Sequence, residues 1–497
     1  MRNWGLAIIL FTMTYMGVAQ VGNTIALSLF EEFEIPKGED LLALHSTRTA
    51  SAYLITKKPG ILFLRQLADS SLKPIKVLSI KSNDTKKLIR HHLVGDSIIG
   101  LVKSINKDRT ENFEVVVYTL RSDQLAEAYR HTLEIRNRPA DKNAEPIFFH
   151  VSGNGKYAVT LRQVAYELSP EAIIEVEVLS FPKNESKKFR LPLPYTGDNL
   201  EITDVEITSG GIVNFTANSG VKLNSPFLKK HLVYSFNPSI KDLHEFDLSR
   251  DKLYIQQMLL RSRGEQLDIL TTHTNDPMAK TTSNGSGWVQ IDSNGRHIAV
   301  KTTTPFNEAL TESLKLTDRS KSGAVEHLQA DDIVQIGDKS VGLMHQQYRD
   351  QVCTTDPRTG ILTCTDQYHH DGIIVQFLEK HMEPIVVNRA QIDYDREGAY
   401  MGYTWYAIDE NLWILYNDHQ RNTTLEAERA MNNPSRSTLR YVRIDSTGKF
   451  NSNTIDVPTG RGMVLMPSTR GFEKFGNIYH LFSNGKDFQI GMIDIKK

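Results

Sequence analysis

An all-β repeat protein of about eight four-stranded units is the fold class this 497-residue sequence predicts. Three observations predict it. First, nearly the same nine residues are written twice, WVQIDSNGR at Trp288–Arg296 and YVRIDSTGK at Tyr441–Lys449. In both, apolar residues alternate through a strand, and Asp-Ser-Asn-Gly or Asp-Ser-Thr-Gly then supplies the polar residues and positive-φ glycine of a tight hairpin. Second, comparable apolar strands followed by turns start at Ile61, Phe113, Ala172, His231, Trp288, Gly372, Tyr441 and Phe488, most of them roughly 50–60 residues apart. Third, helical periodicity is nearly absent. The clearest helical pattern is TLEAERAM at Thr424–Met431, with Thr423 or Thr424 as cap and Pro434 beyond.

Upstream of each repeated strand lies another, such as SAYLITK, SIIGLVK or LWILYN, and usually one more before it, such as PIFFHVS at Pro146. With the hairpin strand after the turn, this makes about four strands per unit. In the repeated strand Val289 and Ile291 form one aliphatic face, while Trp288 opens the other. Apolar residues on both faces imply that each sheet is covered on both sides. The organisation resembles β-propeller repeat proteins over essentially the whole chain after Gln20, although it has no WD dipeptide, Kelch glycine pair or full Asp-box. The resemblance implies about eight radial four-stranded blades, with seven blades or two smaller all-β domains as alternatives. The last unit ends at FQIGMIDIKK without a fourth strand, and the unassigned strand TIALSLF (Thr24–Phe30) is expected to complete it and close the ring.

Strands A to D of a blade run up and down, so A–B and C–D turns share one end and B–C and D–A connections share the other. The first set is short: SGG near Ser209, GDK near Gly337, DEN near Asp409 and the two repeated turns. The second set carries the insertions, at 274–286, 305–330, 349–371 and 418–437, on consecutive units five to seven. Long loops on a rigid scaffold are where binding commonly resides.

Residues 1–19, MRNWGLAIILFTMTYMGVA, begin with Arg2, continue with an uncharged apolar stretch and end in small residues. That order predicts a signal peptide cleaved near Ala19–Gln20, hence a secreted or periplasmic protein formed by residues 20–497 as one propeller domain. The stretch is short for a membrane span, and no later one is expected. The formal charge of −1 and the absence of a dense Lys/Arg run exclude the usual electrostatic footprint of a nucleic-acid binder. The two cysteines, Cys353 and Cys364, flank the turn signal DPRTG. Pairing strands around that turn puts them opposite each other, so a cross-strand disulfide is expected.

Catalytic motifs for nucleophilic, zinc-hydrolytic or phosphate chemistry do not occur. The chemistry-bearing cluster is Tyr368, His369, His370 and Asp371, with His345 and Tyr348 before it. Imidazole and carboxylate side chains there are candidates for ligand binding. Adjacent histidines on a strand face opposite ways, which argues against a shared metal and makes a solvated polar loop the default. The stretch IDYDREG resembles a calcium loop through Asp393, Asp395 and Glu397, although Met401 and Thr404 stand where further ligands would be needed. No other cofactor is expected. The reading is a non-catalytic exported propeller that recognises a protein or glycan through the loop-rich end of units five to seven. An extracellular propeller hydrolase or lyase is the alternative, and a structural spacer whose insertions splay apart is the third.

Overall fold

The computed structural model describes residues 25–495, apart from 48–50, 82–85, 106–110, 122–123, 138–146, 165–169, 221–228, 250–252, 277, 280, 315–323, 379–381, 394–397, 423–428 and 458–461. Eight antiparallel sheets of four or five strands follow one another along the chain, each a blade of a β-propeller. The predicted strand of every unit is found as the third strand of its blade, from Ile61–Leu67 in blade 1 to Phe488–Asp494 in blade 8. First strands of neighbouring blades pack against each other and form the inner wall.

Alternation of apolar side chains explains the ring. Eight buried clusters occur, and each joins two successive blades. Val289 and Ile291 pack towards blade 4, whereas Trp288, on the opposite face, packs towards blade 6. The second repeat does the same one blade pair later: Val442 and Ile444 meet blade 6, and Tyr441 meets blade 8. A strand with period two and apolar residues on both faces is therefore buried between neighbours rather than half-solvated.

Ring closure follows the expected route. Ala26–Leu29 pairs antiparallel with Phe488–Asp494, Ala26 opposite Asp494 and Leu29 opposite Gly491, and becomes the outer strand of blade 8. Leu481 and Ile490 of that blade then pack with Leu44 and Leu54 of blade 1. Both repeated turns are C–D hairpins closed by their aspartate. Asp292 accepts from the backbone of Arg296 and His297, and Asp445 from that of Thr447 and Lys449. Gly295 and Gly448 hold φ of +71° and +82°, which other residues adopt only at a cost.

Two features were not anticipated. Five inner strands share a register shift, between Leu41/Ala43, Leu88/Arg90, Ile202/Asp204, Ile255/Gln257 and Ala330/Asp332. A short helix, Glu308–Ser313, lies within the 305–330 insertion, its amino end held by the Asn307 side chain accepting from Leu310. The helical pattern expected at Thr424–Met431 lies mostly outside the described residues, and its last residue, Met431, instead forms a parallel bridge with Gln391.

Candidate ligand-binding site

The insertions lie at one end of the ring, where they interlock rather than splay. Thr282–Ser283, from the first, pairs with Val325–Glu326 of the second. The second meets the base of the third, where His327 stacks on Tyr348 with ring centroids 5.4 Å apart and Gln346 donates to the Glu326 carbonyl. The strand following blade 6 meets the fourth through Gln391 and Met431. The third insertion is carried by the two longest strands. Strands Lys339–Thr355 and Leu362–Phe377 run past the blade as a two-stranded ribbon closed by the Cys353–Cys364 disulfide, the two cysteines directly opposite in register. Gly372 sits at the ribbon's base where Leu314 packs so closely that a Cβ would lie 2.3 Å from its Cδ2.

At the inner margin of this layer, between blades 6, 7 and 8, is a cleft of about 280 Å³. Its walls include Asp331, Asp332, His345, Gln347, His370, Tyr403 and Trp405. Consecutive residues on a strand point to opposite faces, yet Asp331 and Asp332 both line the cleft. The register shift at Ala330/Asp332 inserts Asp331 as the extra residue and re-aims it. On the ribbon, Gln347 pairs directly with His370, which places both on the same face.

Hydrogen bonding divides these side chains into anchored and open ends. His345 Nδ1 donates to Asp331 Oδ2 at 2.6 Å, and the Tyr403 hydroxyl donates to the same oxygen. Asp332 Oδ1 accepts from Arg261 Nε at 2.7 Å and from the Ile333 backbone. The other atoms, Asp331 Oδ1, Asp332 Oδ2, His345 Nε2 and His370 Nε2, have no partner among the described residues, and His370 Nδ1 is buried without one. Because Nδ1 of His345 gives its proton to a carboxylate, Nε2 is left as an acceptor in the neutral ring.

Behind the cleft lies a buried polar support. Asp371 accepts from the Tyr348 hydroxyl at 2.9 Å, and burial raises its pKa to about 6. Arg389 is fully buried, donates to the Asp371 carbonyl and stands 5.1 Å from the centre of the Tyr403 ring. Burial, with help from Arg389 and the neighbouring histidines, lowers His370 to about 3, so its ring is neutral at physiological pH. Gln391 bridges the Asn417 carbonyl and the Gly402 amide, joining blade 7 to the same support. Further out, the Arg440 guanidinium lies 2.9 Å from the Asp418 carboxylate, both almost completely buried.

The sequence-predicted residues therefore divide three ways. His345 and His370 line the cleft, their rings stacked with centroids 6.0 Å apart. Tyr348, His369 and Asp371 occupy the opposite face or the support, with Tyr348 stacked on His369 at 4.3 Å. Tyr368 stands farther along the ribbon beneath Arg349. The adjacent histidines do face opposite ways, but the expected solvated loop is instead a buried strand base, with Asp371 only 2% exposed. Asp395 and Glu397 lie outside the described residues, and Asp393 is described only through its backbone pairing with Tyr368. No group of three or more His, Cys, Asp or Glu side chains among the described residues is arranged to hold a metal ion. Likewise, no helix among them is long and apolar enough to cross a membrane.

Sequence reasoning missed Asp331, Asp332, Arg389, Tyr403 and Trp405. The adjacent carboxylates and the YTW triplet were the available signals, but each sits on a different blade from the other. Only the closed ring brings them together.

No protein-family model matches the chain, and no curated protein is similar to it in sequence. Solved structures share its fold at low similarity. The WD40 domain of SCAP from fission yeast is 10% identical, with a TM-score of 0.38 over 94% of this chain and 98% of that one. The β-propeller domain of the Trilobed protease from Pyrococcus furiosus is 9% identical, with a TM-score of 0.35 over 83% and 97%. The N-terminal domain of Nup159 is 11% identical, with a TM-score of 0.33 over 95% and 96%. At these values the likeness concerns architecture alone.

Proposed function

We propose that the protein is an exported binding propeller whose protein or glycan ligand enters the cleft between blades 6, 7 and 8. One observation carries this reading: polar atoms of Asp331, Asp332 and His345, from two strands of blade 6, converge on a concave surface without a partner among the described residues, while their other ends are anchored. Groups held by rigid strands and backed by a buried polar layer are preorganised for recognition. The third insertion contributes His370 to that mouth, in keeping with a function placed at this end. Export rests on the amino-terminal pattern, and amino-terminal sequencing of the secreted protein beginning at Gln20 is the outcome that supports it.

The test is binding of the purified chain to arrays of glycans and peptides. Binding is expected to disappear in Trp405→Ala and Gln347→Ala, and to persist in Asp292→Ala at the opposite end. Binding that survives both cleft substitutions sinks the assignment. The hydrolase reading is favoured by a single feature, the Asp331–His345 pair with Nε2 facing the cleft, an arrangement suited to general-base chemistry. Product release from a bound oligosaccharide or peptide, abolished by His345→Gln, would establish that reading instead.

A further inference from the structure

We infer that the ligand of this cleft is an uncharged saccharide. The inference rests on the cleft being the binding site, and concerns what chemistry that site accepts. Two of its open atoms are carboxylate acceptors, Asp331 Oδ1 and Asp332 Oδ2, and in the neutral ring, whose Nδ1 donates to Asp331, His345 Nε2 is a third. An acceptor-rich surface calls for a ligand rich in donors. Two chemistries meet that need, a cationic side chain and a polyol.

Charge decides between them. Each carboxylate has a shared cation close by: Arg261 is bonded to Asp332 at 2.7 Å and lies 3.5 Å from Glu206, and buried Arg389, behind the Tyr403 ring that holds Asp331, also faces Asp371. His370 is held neutral there by its burial beside Arg389. An arriving ammonium or guanidinium would therefore give up its hydration in a site where two buried or half-buried guanidinium groups already stand beside the carboxylates. A hydroxyl loses far less on leaving water and donates to the same oxygens.

A sugar also answers the remaining lining. Gln347 offers an amide that can both donate and accept, matching a hydroxyl that does the same. Trp405 is half-buried and lines the cleft, giving a flat aromatic surface. The C–H bonds on one face of a pyranose carry partial positive charge, which the negative face of an indole attracts. The volume of about 280 Å³ accommodates one or two sugar rings rather than a folded domain.

The experiment titrates the full mature chain with neutral oligosaccharides, acidic oligosaccharides and lysine- or arginine-bearing peptides, by calorimetry at low and high salt. Neutral oligosaccharides are expected to bind with an affinity that changes less than about twofold between the two salt concentrations. Trp405→Ala and Gln347→Ala should each weaken that binding at least about tenfold, the usual reach of one well-placed contact. Unchanged circular dichroism and melting behaviour of Gln347→Ala exclude loss through misfolding. Salt-sensitive binding of basic peptides that needs Trp405, without saccharide binding, overturns the sugar inference and leaves the site standing. Saccharide binding indifferent to both substitutions overturns the site itself. Failure of every neutral saccharide to bind also counts against the inference.

Discussion

The two ends of the ring are built from the same strands and differ in how their polar groups are satisfied. At the turn end, many polar side chains close bonds within a few residues, as Asp292 does with Arg296 and His297 and Asp445 does with Thr447 and Lys449, while a few reach the next blade, as Asn154 does to Ser209 and Arg296 to Asp242. At the insertion end the bonds run between distant parts of the chain. Tyr403 reaches Asp331, Gln391 reaches Asn417, and Arg261 reaches Asp332. Locally closed turns leave fewer polar atoms to offer a ligand. Long-range networks hold one end of a side chain still while the other end faces the cleft. The contrast teaches where to look for the proposed recognition surface: at the end that carries the cleft.

The largest effect expected from that contrast is at Asp418. Its carboxylate faces Arg440 inside the insertion layer, with Asn422 donating to its other oxygen. Asp418→Ala leaves a buried guanidinium uncompensated, which typically costs about 3–5 kcal/mol. Denaturant unfolding should show the loss. A cost below about 1 kcal/mol would mean that the layer does not depend on inter-element pairing as argued.

The next effect separates the ends by pH. His370 has a folded pKa of about 3, well below the value near 6.5 of an unfolded histidine. Between these values the unfolded chain binds the extra proton, so the neutral ring's contribution is complete above about pH 6.5 and is lost as pH falls towards 3. Asp371, raised to about 6, works in the opposite sense, favouring the fold below an unfolded carboxyl's pKa and losing that contribution as pH rises through about 6. His370→Gln should therefore flatten the acid limb of the stability profile, by roughly 2 kcal/mol at pH 5. An unchanged slope between pH 6.5 and 4 would show that His370 is not held neutral.

Smaller effects belong to the turn end. Asp292→Ala and Asp445→Ala each remove side-chain acceptors from backbone donors that water can reach, so about 1 kcal/mol is expected from either. The two losses should be similar and should leave ligand binding intact. A marked effect of either on binding would erase the functional distinction between the ends.

How far the sequence foretold this arrangement follows from the same physics. The blade order, the repeated hairpins and closure through Ala26–Leu29 were legible because period-two apolar patterns and Asp–Gly turns are local signals. His345 and His370 were legible as chemistry-bearing residues near an insertion. Asp331 was not, because the register shift that turns it into the cleft breaks the alternation by which a face is read. Arg389 and Trp405 were not, because their significance lies in contacts with Tyr403 and with the cleft, which only inter-blade packing creates. The short helix Glu308–Ser313 escaped because a few residues carry too little periodicity to stand out.

The smallest effect on the ring should come from its most conspicuous appendage. Pairing to the first strand of blade 6 stops at Gln346, and pairing on the other side reaches only Tyr368, so the ribbon beyond is held by its own two strands and the Cys353–Cys364 bond. A disulfide closing so short a loop can restrict the unfolded chain by about 2–3 kcal/mol. The ring, however, can lose no more than the ribbon itself contributes, and an isolated two-stranded hairpin is marginally stable in water. Replacing both cysteines by serine should therefore barely move the melting temperature of the propeller. It should instead accelerate tryptic cleavage after Arg358, at the exposed tip. A large fall in melting temperature would show that the ribbon is coupled to the blades, and would extend the shared network of the insertion end out to its tip.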